Sequence, residues 1–271
     1  MHQKLKFEGK LIISDLDNTL LPTTHMIPQK NLDAIKYFTD NGGEFAIATG
    51  RSVPSAERYI KQMDIKLPVI VYNGSGIYDF NKKEFLWNAS VHPIAYDIVK
   101  TVLEEFPDIG VEVFNGIEIY VLNYTPMIEQ HLVDEKIGFI PATLETVPKP
   151  WHKVLFIGER ERIEVVRKRL AEFPQDDIYF VFSSYTYFEM LPMGLSKGSA
   201  LVKLSELIGF DIAKTIAIGD YYNDLDMIKR SGFGVAVQNA PDEIKAAAQL
   251  VVGHCDDGAV AELIQVLENS L

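Results

Sequence analysis

Near the amino end of the chain an apolar run leads directly to two aspartates, in Leu11-Ile12-Ile13-Ser14-Asp15-Leu16-Asp17-Asn18-Thr19-Leu20-Leu21. A continuous apolar run is typical of a parallel strand that is buried on both faces. Two carboxylates this close together repel each other unless a cation or a shared proton compensates their charge. The stretch therefore predicts a buried strand that ends at a chemical site formed by Asp15 and Asp17.

Chain length, hydrophobic content and net charge limit the classes of protein that this chain can belong to. A chain of 271 residues corresponds to one or two domains, and a hydrophobic fraction of 47% supplies enough material for a core. The formal net charge of −12 argues against general binding to nucleic acid or to an anionic membrane. It is compatible with a small anionic substrate, because a site can be locally positive on an acidic protein.

Cysteine content and the absence of long apolar segments indicate the compartment. The single cysteine, Cys255, excludes an intrachain disulfide and suits a reducing environment. The segment from Met1 to Lys10 is polar and lacks the apolar region of a signal peptide. No apolar stretch approaches the ~20 residues that a membrane helix needs. We therefore expect a soluble, cytoplasmic protein.

Both ends of the chain alternate short apolar runs with helical patterns. The pattern predicts strands at 11–14, 44–48, 68–72, 215–219 and 234–237, and helices at 28–38, 54–63, 197–208, 224–231, 241–248 and 259–267. Strands that alternate with helices are typical of parallel βαβ units with right-handed crossovers. An α/β fold with a Rossmann-like parallel sheet, built from both chain ends, is therefore predicted.

The middle of the chain has a different pattern. Hairpins are predicted at 77–87 and at 111–122, the second around the strong turn signal Asn115-Gly116. Helices near 93–105 and 160–173 and strands near 153–158 and 179–183 complete an α+β pattern. We therefore predict a core domain at 1–80 and 190–271, with an inserted α+β cap domain at 81–189.

Polar residues follow four of the predicted core strands. Asp15 and Asp17 follow the first strand, Thr49 the second, Asn73 the third, and Asp220 a strand near the carboxyl end. In an open parallel sheet, ligands bind beyond the carboxyl ends of the strands. If the first and the late strand are neighbours, three aspartates converge, and oxygen ligands without His or Cys favour a hard cation such as Mg²⁺. Because protein-bound Mg²⁺ commonly bridges to phosphate, the cluster indicates phosphoryl chemistry.

The chain resembles the haloacid dehalogenase superfamily, and within it the Cof-type phosphatases with a large α+β (type C2) cap. The resemblance is carried by four segments in family order, Asp15–Leu21, Ala48–Arg51, Leu195–Leu201 and Gly219–Met227. The long insertion between the second and third segments matches the cap position. The resemblance implies a Mg²⁺-dependent phosphatase, a phosphoric monoester hydrolase, acting on a small phosphorylated metabolite through an aspartyl-phosphate.

The resemblance also implies roles for the residues that follow the first two core strands. Asp15 is the expected nucleophile. Asp17 is the expected general acid and base, with its backbone carbonyl as a metal ligand. Leu16, Thr49 and Gly50 are expected to bind the transferring phosphoryl group.

Further expected site residues come from the carboxyl-terminal part of the chain. Lys197 is expected to neutralise charge near the nucleophile, and Asn223 to contact phosphate. Asp220 is expected to bind Mg²⁺ together with the two amino-terminal aspartates. Asp224 is expected to orient Lys197 or a water on the metal. Asn223 and Asp224 are also plain candidates for helix caps.

Two other functions fit parts of the same pattern. A phosphotransferase or mutase on this scaffold would differ only in the acceptor. A regulatory phospho-acceptor of the receiver type also places acidic residues, Thr or Ser, and Lys at the ends of parallel strands. Asp17, which would make an aspartyl-phosphate turn over, and the large cap insertion both argue against a receiver.

Overall fold

A computed structural model describes residues 5–174 and 176–270 and divides into two compact units. The first unit takes the residues up to Gly50, Ala56–Leu86 and the residues from Ser196 onward. The second unit takes Arg51–Ser55 and Trp87–Leu195. In the described part of the chain, no helix is long and apolar enough to cross a membrane.

Helices and strands alternate in the first unit, while the second is richer in strands. The strands are β1 Leu11–Ser14, β2 Glu44–Ile47, β3 Val69–Val71, β4 Gly76–Asp79, β5 Glu84–Asn88, β6 Gly110–Asn115, β7 Glu118–Asn123, β8 Ile140–Pro141, β9 Lys153–Ile157, β10 Ile178–Phe182, β11 Tyr187–Pro192, β12 Thr215–Gly219, β13 Phe233–Val237 and β14 Leu250–Val252. The helices are α1 Gln29–Asp40, α2 Val53–Met63, α3 Ala95–Glu105, α4 Pro126–Glu135, α5 Arg160–Leu170, α6 Lys197–Ile208, α7 Leu225–Arg230, α8 Asp242–Ala247 and α9 Ala259–Asn269.

The first unit is built around a five-stranded parallel sheet in the order β14-β13-β12-β1-β2. All residues of β1 and β12 are buried, as their continuous apolar sequence predicted. The chain first winds outward from β1 to β2 and later returns to β12 on the opposite side of β1. The winding therefore reverses between β1 and β12, the point where ligands bind in open α/β sheets. This arrangement confirms the predicted fold class and the predicted pairing of the first and late strands.

The third predicted strand differs from expectation in its partners. β3 touches the extension of β2 only at the parallel bridge between Ala48 and Ile70, and it forms its ladder with antiparallel β4. The sheet β3-β4-β5 therefore stands apart from the five parallel strands. β3 spans only three residues, and left-handed residues Tyr72 and Asn73 follow it directly, so a longer parallel ladder cannot form. The hairpin at the start of the middle region thus groups with the first unit up to Leu86.

The second unit has the predicted α+β character. Its six-stranded sheet has the order β10-β11-β9-β6-β7-β8, antiparallel except where β7 meets β8. A buried apolar cluster joins one face of this sheet to α3 and α5, and Trp151 belongs to it. The strong hairpin signal Asn115-Gly116 connects β6 to β7, with Gly116 at φ +59°.

Candidate active site

Asp15 and Asp220 lie side by side at the reversal point of the parallel sheet. Each follows directly on a buried strand, β1 for Asp15 and β12 for Asp220. The register pairs Ser14 with Ile218, and the Asp15 backbone N–H donates to the Ile218 carbonyl over 2.9 Å. Adjacent parallel strands therefore deliver two carboxylates to the same edge of the sheet, although about 200 residues separate them in sequence.

A third carboxylate, Asp224, completes a buried acidic cluster. One oxygen from each of Asp15, Asp220 and Asp224 lies within 4.8 Å of the other two, and all three residues are buried. The Thr19 hydroxyl donates to Asp220 Oδ1 over 2.9 Å, which fixes that carboxylate. Three acids confined at this distance cannot all ionise without a compensating cation.

Lys197 supplies one positive charge inside this cluster. It begins α6, directly after the N-cap Ser196, whose hydroxyl accepts the N–H of Ser199. The Lys197 side chain is only 1% exposed, and its ammonium contacts Asp15 Oδ1 and donates to Asp224 Oδ1 over 2.6 Å. A buried lysine that bridges two carboxylates offsets part of their repulsion and fixes their orientation.

Both oxygens of the Asp224 carboxylate accept hydrogen bonds from the protein. Its Oδ1 receives the Lys197 ammonium, and its Oδ2 accepts the backbone N–H groups of Asp220 at 3.0 Å and Tyr221 at 3.1 Å. This carboxylate therefore ties the loop after β12 to the lysine at the start of α6. Its geometry suits the expected task of orienting Lys197.

The electrostatics of the cluster follow from burial and from like charges. Burial, with the charge of Asp224, raises the pKa of Asp15 to about 7, although Lys197 opposes the shift. Burial, followed by the charges of Asp15 and Asp224, also raises the pKa of Asp220 well above its usual range. For Lys197, burial lowers the pKa, but the charges of Asp15 and Asp224 outweigh it, so the net direction is upward.

These residues fit a divalent hard cation such as Mg²⁺. The donor set consists of carboxylate oxygens close enough together to share one ion, which is the ligand type that Mg²⁺ prefers. The pKa values of Asp15 and Asp220 are raised first by burial and then by the neighbouring carboxylates, and a second positive charge, beyond that of Lys197, would oppose both effects.

The ends of the next two strands reach the same edge of the sheet. Thr49 is fully buried beyond β2, its N–H donates to the Ile70 carbonyl over 2.8 Å, and its own carbonyl accepts the N–H of Asn73 over 3.1 Å. The Asn73 side-chain oxygen accepts from the Asn223 amide over 2.9 Å. A Cβ at Gly50 would lie 2.8 Å from the Asn73 amide nitrogen, so a larger residue there would displace the Asn73 side chain.

The remaining predicted residues lie in the turn after β1. Leu16 is fully buried, and its carbonyl accepts the N–H groups of Leu20 and Leu21. Asp17 is half-buried and forms an isolated parallel bridge with Leu21. Thr19 was quoted in the sequence pattern without a role, and the structure makes it the direct partner of Asp220. Sequence reasoning missed this role because the bond joins residues 201 positions apart.

A doubly wound α/β unit with a buried acidic cluster and a lysine at its strand ends is an arrangement suited to phosphoryl chemistry. A family model described as haloacid dehalogenase-like hydrolase matches residues 12–264. The chain belongs to this family, and it is a phosphatase.

Relatives cover nearly the whole chain. A Haemophilus influenzae protein is 31% identical over 260 residues, which span 94% of this chain and 97% of the relative. The HMP-PP phosphatase of Serratia proteamaculans is 29% identical over 261 residues, 94% of each chain. A crystal structure of a haloacid dehalogenase-like hydrolase from Bacteroides thetaiotaomicron superposes with a TM-score of 0.85 at 27% identity, covering 96% of this chain and all of that one.

Proposed function

We propose that the chain is a Mg²⁺-dependent phosphomonoesterase that hydrolyses a small phosphorylated metabolite, such as a sugar phosphate or a nucleotide-like phosphate, through an aspartyl-phosphate. The observation that carries this proposal is the buried contact of Asp15 with Lys197, beside Asp220. A relative that is named an HMP-PP phosphatase supports a small phosphorylated substrate. We place the reaction in the cytoplasm, since a chain with one cysteine suits a reducing compartment.

In the proposed first step, a carboxylate oxygen of Asp15 attacks phosphorus. The new bond between Asp15 and phosphorus forms as the bond to the leaving oxygen breaks, and the proton of Asp17 passes to that oxygen. In the second step Asp17 takes a proton from water as the water oxygen bonds to phosphorus. The bond between phosphorus and the Asp15 oxygen breaks, which releases inorganic phosphate and regenerates the Asp15 carboxylate. Splitting the reaction in this way replaces one difficult displacement by two easier ones.

Charge on the transferring group is stabilised mainly by groups already in place. Lys197 neutralises charge between Asp15 and the phosphoryl oxygens, and its burial makes this interaction stronger than it would be in water. The Thr49 hydroxyl, the Gly50 amide, the Leu16 backbone and the Asn223 amide bind the phosphoryl oxygens. The inserted region at 81–189 acts as the cap that selects the leaving group.

Asp15, Asp220 and the backbone carbonyl of Asp17 would hold the Mg²⁺ ion. When bound, the ion supplies positive charge to the phosphoryl oxygens and offsets the repulsion between the carboxylates. Asp224 keeps Lys197 aimed at Asp15 through its 2.6 Å hydrogen bond, while its other oxygen stays on backbone N–H groups.

The decisive experiment is steady-state release of inorganic phosphate from p-nitrophenyl phosphate and a panel of phosphorylated metabolites, with Mg²⁺ and with EDTA. Asp15→Asn removes the nucleophile and should lower turnover at least about 10⁴-fold. Asp33→Asn, on the exposed face of α1, is the matched control and should leave turnover unchanged. Wild-type rates in Asp15→Asn would refute the nucleophile assignment. A stable phosphoprotein without turnover would indicate a receiver-type phospho-acceptor instead.

A further inference from the structure

The loop that carries Asp17 lies outside every helix and strand, so its position depends on individual contacts. It turns sharply, because the Leu16 carbonyl accepts the N–H groups of both Leu20 and Leu21. Asn18, directly after Asp17, adopts the left-handed conformation with φ +57°. A backbone carbonyl in such a turn that is not bonded within the turn needs a partner from elsewhere in the chain or from water.

The Asn18 carbonyl finds its partner in Asn239, 221 residues later in the chain. Asn239 lies just beyond the end of β13, and its amide donates to the Asn18 carbonyl over 2.7 Å. The oxygen of the same amide accepts the N–H of Cys255 over 3.0 Å. One side chain therefore ties the peptide unit next to Asp17 to the loops beyond both β13 and β14. Asn239 belongs to none of the four motif segments.

A second asparagine makes the same pair of bonds farther along the loop. The Asn31 amide donates to the Leu20 carbonyl over 3.3 Å, and its oxygen accepts the N–H of Ala261 over 3.0 Å. Asn31 is fully buried, whereas Asn239 is half-buried. The two residues thus make the same types of hydrogen bond to carbonyls that lie one and three residues beyond Asp17, which makes Asn31 a control for Asn239.

We propose that Asn239 is a positioning residue for the acid step, holding the backbone beside Asp17 so that the Asp17 carboxyl reaches the leaving oxygen. The inference rests on the proposed function, in which the Asp17 proton passes to the leaving oxygen as the phosphorus–oxygen bond breaks. A displacement of about 1 Å in a reacting group can cost about 100-fold in rate. Asn18 follows Asp17 directly, so loss of the bond to its carbonyl removes one restraint on the backbone next to Asp17.

The test compares kcat/KM for phenyl phosphate and p-nitrophenyl phosphate, two substrates of similar shape. p-Nitrophenolate leaves readily without a proton, whereas phenolate is a poorer leaving group and needs the acid. Asn239→Ala should lower kcat/KM at least about tenfold more for phenyl phosphate than for p-nitrophenyl phosphate. Asn31→Ala should leave the ratio of the two values at the wild-type level, even where it lowers stability. The ratio does not depend on the fraction of folded enzyme, because both substrates are measured on one sample.

A double-mutant cycle completes the test. In an Asp17→Asn background, Asn239→Ala should cause no further fall for phenyl phosphate, because the group that it positions is already absent. Equal losses for both substrates in Asn239→Ala, or full additivity with Asp17→Asn, would overturn the positioning role. Absence of turnover of both substrates by the wild-type protein would instead contradict the proposed function and the inference with it.

Discussion

Replacement of Lys197 by methionine should destabilise the first unit strongly, because it removes the ammonium from a buried carboxylate cluster. The side chain is 1% exposed, and its partners Asp15 and Asp224 are 7% and 1% exposed. Removing one partner of a buried ion pair costs about 3–5 kcal/mol, since the remaining charge is left uncompensated. Loss of this charge from the site should also lower phosphate release by at least about 10²-fold.

The destabilisation by Lys197→Met should grow with pH. The pKa of Asp15 is raised to about 7, so the folded protein binds a proton that the unfolded chain has lost, and this contribution to stability disappears as pH rises through 7. Lys197 lowers that pKa, so the variant should keep the proton on Asp15 to higher pH than the wild type. Between pH 6 and pH 8 the variant should therefore lose more stability than the wild type does.

Urea unfolding in EDTA, followed by circular dichroism at both pH values, measures this difference. Lys203→Met is the matched control, because Lys203 lies on the same helix in an exposed pair with Glu206 and should cost less than about 1 kcal/mol. Both tryptophans, Trp87 and Trp151, belong to the second unit, so tryptophan fluorescence reports whether that unit unfolds independently. A loss no larger than that of Lys203→Met, or a loss equal at both pH values, would refute the reasoning.

Two further substitutions test other contacts of the site. Thr19→Val removes the hydroxyl that donates to Asp220 Oδ1, so the Mg²⁺ concentration for half-maximal activity should rise about 10–100-fold; an unchanged value would contradict a metal role for Asp220. Gly74→Ala places a methyl group 2.2 Å from the Ser196 carbonyl oxygen at φ +101° and should lower the free energy of unfolding by more than about 2 kcal/mol. Gly209→Ala, at φ +69° with open space around it, should cost only about 1 kcal/mol in the same urea assay, and equal losses would show that the contact with Ser196 is unimportant.

Sequence patterns predicted the central strands well, because these strands are apolar along their whole length. β1 and β12 are buried at every residue, and an aspartate follows each one directly. The same apolar runs therefore predicted both the central strands and the position of the site. The edge strand β14 was missed, since only three residues form it and only one of them is buried. Helix α4 was also missed, although Thr125 caps it and Pro126 begins it, which together form a known start signal.

The parts of the site that escaped prediction are contacts between distant segments. No local pattern links Thr19 to Asp220 or Asn239 to Asn18, because each bond depends on how the sheet brings its strand ends together. The partners of β3 escaped for a related reason: its apolar sequence fits a parallel and an antiparallel ladder equally well. The left-handed residues Tyr72 and Asn73 end β3 before a longer parallel ladder can form, and residue type does not predict their backbone angles.

The position of β1 between β2 and β12 has a consequence for synthesis on the ribosome. β2 follows β1 closely, but β12 is made about 200 residues later, which takes about 10–40 s at typical elongation rates. During that time one edge of β1 has no partner, and Asp15 lacks both Lys197 and Asp220. The main segment of the second unit, Trp87–Leu195, is continuous and emerges complete within this interval. The main segment of the second unit is therefore available for folding before the first unit is complete, and the cluster of Asp15, Lys197 and Asp220 forms only after that segment has been synthesised.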